Sequence, residues 1–147
     1  MIIPLLFAFG LICATVLIHA LGTWEAVVYL ARGWFKRKPS SRRLGREIQI
    51  IRVVSVLLLI HLMEAAIWAA FYRISGLFFE FETALYFSIT SYTTVGYGDV
   101  LLPPSWRVLG PMEAAVGILM FGWSTAIIVA AITRMQADQL TPEPSAG

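Results

Sequence analysis

Three long apolar runs divide the chain. The first covers residues 1–31 and carries no charge before Glu25; the second covers 48–72 and is interrupted by Arg52, His61 and Glu64. The third covers 108–134, with Glu113 near its start. Each exceeds the roughly 20 residues a helix needs to cross a bilayer. A fourth apolar patch, 84–89, is too short to cross. Between the second and third runs the pattern predicts a turn, a short helix, an irregular stretch and another turn. Gly76 ends the second helix, Thr83 is the expected N-cap of a short helix over 83–93, and Pro103-Pro104 cannot extend a helix. Pro111 suits the first turn of the third helix, where Glu113 is favoured by the helix dipole.

These elements predict an all-α membrane protein with three transmembrane helices and a re-entrant segment, a short helix going in and extended backbone coming out. Non-helical backbone at membrane depth is tolerated only inside protein or along a water-filled path. A single chain has too little mass to bury such a loop, so identical subunits in a closed ring are the simplest partners.

Composition agrees with the membrane reading. Of 147 residues, 59% are hydrophobic and 14% charged, where a soluble domain carries about 25% charged. The mean hydropathy is +0.77. The only cysteine, Cys13, lies in an apolar run, so no disulfide framework forms within one chain. The net charge of +2 is unevenly spread. Arg32, Lys36, Arg37, Lys38, Arg42, Arg43 and Arg46 fall in the connection 32–47, against Glu47 alone. Basic residues mark cytoplasmic loops. The expected topology is a multi-pass protein of the cell membrane, its N-terminus outside and its 32–47 loop and C-terminus cytoplasmic. The first run has no basic residues before it, so it reads as a retained helix and not a cleaved signal peptide. Between two spans, the 32–46 stretch reads as a topology signal and a contact for anionic lipids, not for nucleic acid.

The segment TTVGYGD, residues 93–99, stands at the centre of the outer stretch. It resembles the selectivity-filter signature of potassium channels. The resemblance covers about 48–134: outer helix 48–72, pore helix 83–93 (with ALYFSITSY), filter 94–98, and inner helix 108–134. The helix of residues 1–31 is an addition to that two-helix pore unit. The resemblance implies a homotetramer of four-fold symmetry that passes K+ ions passively. Rings of main-chain carbonyls replace the water shell of the permeant ion. The carbonyls of Thr94, Val95, Gly96 and Tyr97 supply these rings, and the Thr94 hydroxyl adds an innermost layer. Gly96 and Gly98 allow backbone angles that L-residues resist. Val95 and Tyr97 point away from the axis as struts, with Tyr97 expected against pore-helix aromatics. Relatives with an acidic residue in place of the tyrosine lose selectivity, so Tyr97 implies preference for potassium over sodium. Many relatives pair a pore-helix carboxylate with the aspartate after the filter. Here that position is Thr90, so Asp99 needs another partner: Tyr86, the surface or water. Ser91 or Thr93 can hydrogen-bond the loop from the end of the pore helix.

In the third run, Gly117 and Gly122 stand where inner helices of such channels bend, with Gly117 the preferred hinge; close helix packing is the alternative role. Phe121, Thr125 and Val129 form a stripe at four-residue spacing that would face the cavity, with Thr133 continuing it. A constriction near Val129 or Ile132 could gate by dewetting. Glu64 lies roughly 12 Å inside its helix end, where an ionisable group marks a functional position by default. His61 and Trp68 share its face. Glu64 is expected either to link the outer helix to the pore helix through Ser88, Thr90 or Tyr92, or to be a hydrogen-bonded structural carboxyl. A metal site at His61 and Glu64 would need more ligands than one helix offers. Glu80, Glu82 and Asp99 would form acidic rings at the outer mouth.

No voltage sensor, phosphate loop, cofactor motif or nucleophile–base pair is recognisable, so no enzyme is expected. Residues 135–147 read as a short disordered cytoplasmic tail. The rival readings are a potassium transporter subunit, which would repeat the pore loop, and a membrane sensor that kept a dead pore.

Overall fold

A computed structural model describes residues 2–36 and 43–140. It contains four helices and, among the described residues, no strand: α1 (Ile2–Lys36), α2 (Arg43–Ile74), α3 (Phe81–Tyr92) and α4 (Leu109–Leu140). Three of them are long and apolar enough to cross a membrane, over Ile2–Val28, Glu47–Ile74 and Leu109–Arg134. The all-α architecture expected from the apolar runs is what the chain adopts. Met1, 141–147 and the tip of the basic connection at 37–42 lie outside the described residues, and with them much of the expected anionic-lipid contact.

Helix ends follow local chemistry. At the end of α2, Gly76 has a φ of +70°. Its N–H donates to the Arg73 carbonyl at 3.2 Å and the Leu77 N–H to Tyr72 at 3.0 Å, the two bonds of a Schellman stop. The chain folds back, and Phe78 is buried against Tyr72 and Phe87. With Phe78 anchored there, α3 starts at Phe81 and not at Thr83. Its cap residue is Glu80, in extended conformation with no side-chain cap bond. The expected Thr83 cap is therefore displaced by tertiary packing.

The other bounds also run longer than the apolar runs. α2 begins at Arg43 and α1 continues to Lys36, because helical backbone continues into polar residues past the hydrocarbon. α4 continues to Leu140 where a disordered tail was expected from 135. The sequence MQADQL holds no Gly or Pro and mostly good helix formers.

α1 packs against both α2 and α4 of its own chain. Pro4, Ala8, Thr15, His19 and Thr23 are its buried residues among those described, whereas Leu6, Phe9, Leu17 and Leu21 remain exposed. The first helix thus packs along the α2–α4 pair. Trp68, Tyr72, Phe87, Tyr92 and Leu109 build the core around α3. Gly117 permits the tightest approach: a Cβ there would lie 2.1 Å from the Tyr92 carbonyl oxygen.

Candidate functional site

The loop 93–99 leaves α3 through three short backbone bonds. The Thr93 N–H donates to Ile89 at 3.0 Å, Thr94 to Ser91 at 2.9 Å, and Gly96 to Thr90 at 3.0 Å. The Thr93 hydroxyl adds a bond to the Ile89 carbonyl at 2.7 Å. These contacts tie the loop to the helix end through main-chain bonds and the Thr93 hydroxyl.

Thr94, Gly96 and Gly98 have φ of +64°, +51° and +77°. The two glycines adopt this region freely, but Thr94 is β-branched, and such a residue at positive φ is a conformational outlier. Outliers of this kind cost about 1–3 kcal/mol and cluster at functional sites. Val95 and Tyr97, between them, keep negative φ. Left-handed residues at every second position turn successive carbonyls toward one side.

The side chains of Val95 and Tyr97 are 51% and 72% exposed. The expected packing of Tyr97 on aromatics of α3 is not made within one chain, where its ring stays exposed. Asp99 accepts a hydrogen bond from the Tyr86 hydroxyl at 2.8 Å, and that carboxylate holds the Tyr86 phenol above its ordinary range. Thr90 turns its hydroxyl to the Phe87 carbonyl at 3.0 Å and leaves Asp99 to Tyr86. Glu80 and Glu82 are exposed at the N-terminal end of α3.

Behind the loop, two fully buried carboxylates hold α3. Glu64 accepts the Tyr92 hydroxyl hydrogen at the C-terminal end of α3. Of the three linkers considered from sequence, Tyr92 makes this contact. Glu113 is the second. It accepts from Tyr72 at 2.7 Å and from Ser88, whose oxygen also lies 2.6 Å from the Ala65 carbonyl. Its role at the α2–α3–α4 junction goes beyond the helix-dipole position expected of it. No spacing in the sequence announces its partners.

His61 reaches the Tyr92 hydroxyl oxygen at 2.9 Å through Nδ1 and Ser124 at 3.0 Å through Nε2. His19 of α1 lies 2.9 Å from Glu64 Oε1 through Nδ1 and 3.4 Å from Ser124 Oγ through Nε2. Trp68, beside Glu64 on α2, donates to Thr15 of α1 at 2.9 Å. His19 was missed in the sequence, although Thr15, His19 and Thr23 at four-residue spacing form a polar stripe on an apolar helix.

On α4, Thr125 and Val129 are exposed, as residues facing a central cavity would be, and Ile132 is partly buried. Phe121 departs from that stripe: its ring packs on His61 at 4.3 Å and Tyr92 at 5.5 Å. The reason is geometric, since a four-residue step overshoots a turn of 3.6 residues and slants the stripe around the helix. Gly117 is filled by its contact with Tyr92, whereas a Cβ at Gly122 would meet nothing within 4 Å. The structure brings the 93–99 loop, Tyr86, Asp99, His61 and Glu64 around α3, and leaves Val129 and Ile132 far along α4.

A family model described as an ion channel matches residues 56–134, from the middle of α2 through the loop to α4. No curated protein and no solved structure matched the chain.

Proposed function

The chain belongs to this ion channel family, and from that premise we propose that it is a potassium-selective channel assembled from four identical subunits. The observation that carries the reading is the alternation of left-handed Thr94, Gly96 and Gly98 with Val95 and Tyr97 in the TTVGYGD loop. Four such loops around an axis would stack carbonyl rings from Thr94 to Tyr97, with the Thr94 hydroxyl as innermost layer, replacing the hydration shell of K+. The exposure of Val95 and Tyr97 in the single chain supports the ring, because these struts then pack between neighbours.

The C-terminal ends of four α3 helices would direct partial negative charge, about half a unit each, at a central cavity. Thr125 and Val129 would line that cavity, and a narrowing near Val129 or Ile132 would close it. Bending at Gly122, which has open space around it, or at Gly117 would open it. The basic connection would be cytoplasmic and the filter would face outward.

Flux from liposomes tests the reading. Purified protein is expected to release K+ down its gradient and to hold back Na+. Equal Na+ and K+ release would remove the selectivity assignment, and exclusive monomers or dimers in native mass spectrometry would remove the ring.

A further inference from the structure

The chain has two histidines, and both converge on one carboxylate. His19 comes from α1, and His61 and Glu64 lie one turn apart on α2. All three are buried, and one ligand atom from each lies within 4.8 Å of the others. We propose that His19, His61 and Glu64 form a site for a divalent first-row transition-metal ion, zinc by its donor set, which clamps the added helix to the pore unit. The inference stands apart from potassium selectivity and would hold in a chain that conducts nothing.

Three observations carry it. The first is the donor set: two imidazoles and a carboxylate are a recurrent zinc combination, and the third ligand that α2 lacked is supplied by α1. The second is spacing. A tetrahedral zinc with bonds of about 2.0–2.1 Å holds its ligand atoms about 3.4 Å apart. His19 Nδ1 and Glu64 Oε1 are 2.9 Å apart, and His61 Nδ1 and Glu64 Oε2 are 3.4 Å apart. Tyr92 places its hydroxyl 2.9 Å from His61 Nδ1, at the remaining side of the cluster.

The third is the shared partner of the outward nitrogens. Every buried side-chain nitrogen and oxygen among the described residues has a partner in range. Ser124 Oγ lies 3.0 Å from His61 Nε2 and 3.4 Å from His19 Nε2. With a metal on the Nδ1 side, each imidazole carries its hydrogen on Nε2, and Ser124 can accept both with its two lone pairs. Outer-shell partners of this kind orient metal-bound histidines.

The test uses the full chain, purified without a polyhistidine tag, stripped with a chelator and reloaded with zinc alone. Elemental analysis after desalting is expected to find about one zinc per chain, and cobalt is expected to give the intense visible absorption of a tetrahedral site, lost on adding zinc. His19→Gln should abolish the cobalt spectrum. Ser124→Ala, which leaves the ligands in place, should weaken zinc binding by about 10–100-fold. Size-exclusion elution monitors assembly of each variant. Folded wild-type protein that takes up no zinc, or folded H19Q protein that binds zinc as the wild type does, overturns the site. Should H19Q fail to assemble, the wild-type cobalt spectrum decides: an octahedral, weakly absorbing ion overturns it.

Discussion

Tyr92, the last residue of α3, donates its hydroxyl hydrogen to Glu64 in the middle of α2. Its backbone carbonyl lies against Gly117 of α4. The residue immediately before the TTVGYGD loop is therefore held by α2 through its side chain and by α4 through its main chain.

Removing the acceptor is expected to loosen this junction. Glu64→Ala removes the acceptor of the Tyr92 hydroxyl and the partner of His19 Nδ1, and a buried polar group left unsatisfied costs about 1–3 kcal/mol. Glu64→Gln keeps one acceptor oxygen and should cost less. Thermal stability of the assembled protein, followed by size-exclusion fluorescence, is expected to fall in the order wild type, E64Q, E64A. Equal stability of wild type and E64A would remove Glu64 from the scaffold.

Gly117 and Gly122 of α4 should respond in opposite ways. Gly117→Ala places a methyl 2.1 Å from the Tyr92 carbonyl oxygen, and backbone on both sides must shift. Poor assembly is expected, with a loss of about 1–3 kcal/mol from overpacking. Gly122→Ala meets open space, so assembly should survive while the open probability changes. Normal assembly of G117A would show that α4 does not press on α3 at this point.

Tyr86→Phe removes the 2.8 Å hydrogen bond to Asp99. Decay of current during sustained opening is expected to quicken when that bond is lost. Asp99→Asn should act in the same direction. Because Asp99 raises the proton affinity of the Tyr86 phenol, the bond persists at least up to the ordinary phenol range near about pH 10. It is lost only as pH rises through the raised value. The difference between wild type and Y86F should therefore hold across that window. Unchanged decay in Y86F would mean that Asp99 works through another partner.

Ser88→Ala tests the second buried carboxylate. It leaves Glu113 with Tyr72 and removes its contact with α3, at an expected cost of about 0.5–1.5 kcal/mol for a buried hydrogen bond. A double mutant with Y72F should be non-additive, because both hydroxyls serve one carboxylate. Simple additivity of the two changes would separate them.

Much of the site was readable from the chain because its chemistry is local. The loop TTVGYGD announces itself through glycines at alternate positions, and Glu64 through a charge in an apolar span. Thr94 was readable as a hydroxyl donor but not as a left-handed residue, since no sequence rule places a β-branched residue there. The fold of the loop 76–80 set the start of α3, so the Thr83 cap lost to the burial of Phe78. His19 and Glu113 could not be assigned partners, because their contacts join helices far apart in the chain. The Phe121 stripe failed for a simpler reason: four-residue spacing approximates a helical face for only about two turns.

The most direct test of the central claim is the reversal potential of single-channel current in planar bilayers with K+ on one side and Na+ on the other. A potential displaced strongly toward the potassium equilibrium value, and abolished selectivity when Tyr97 is replaced by Glu, is the predicted result. A reversal potential near zero in the wild-type protein would contradict it.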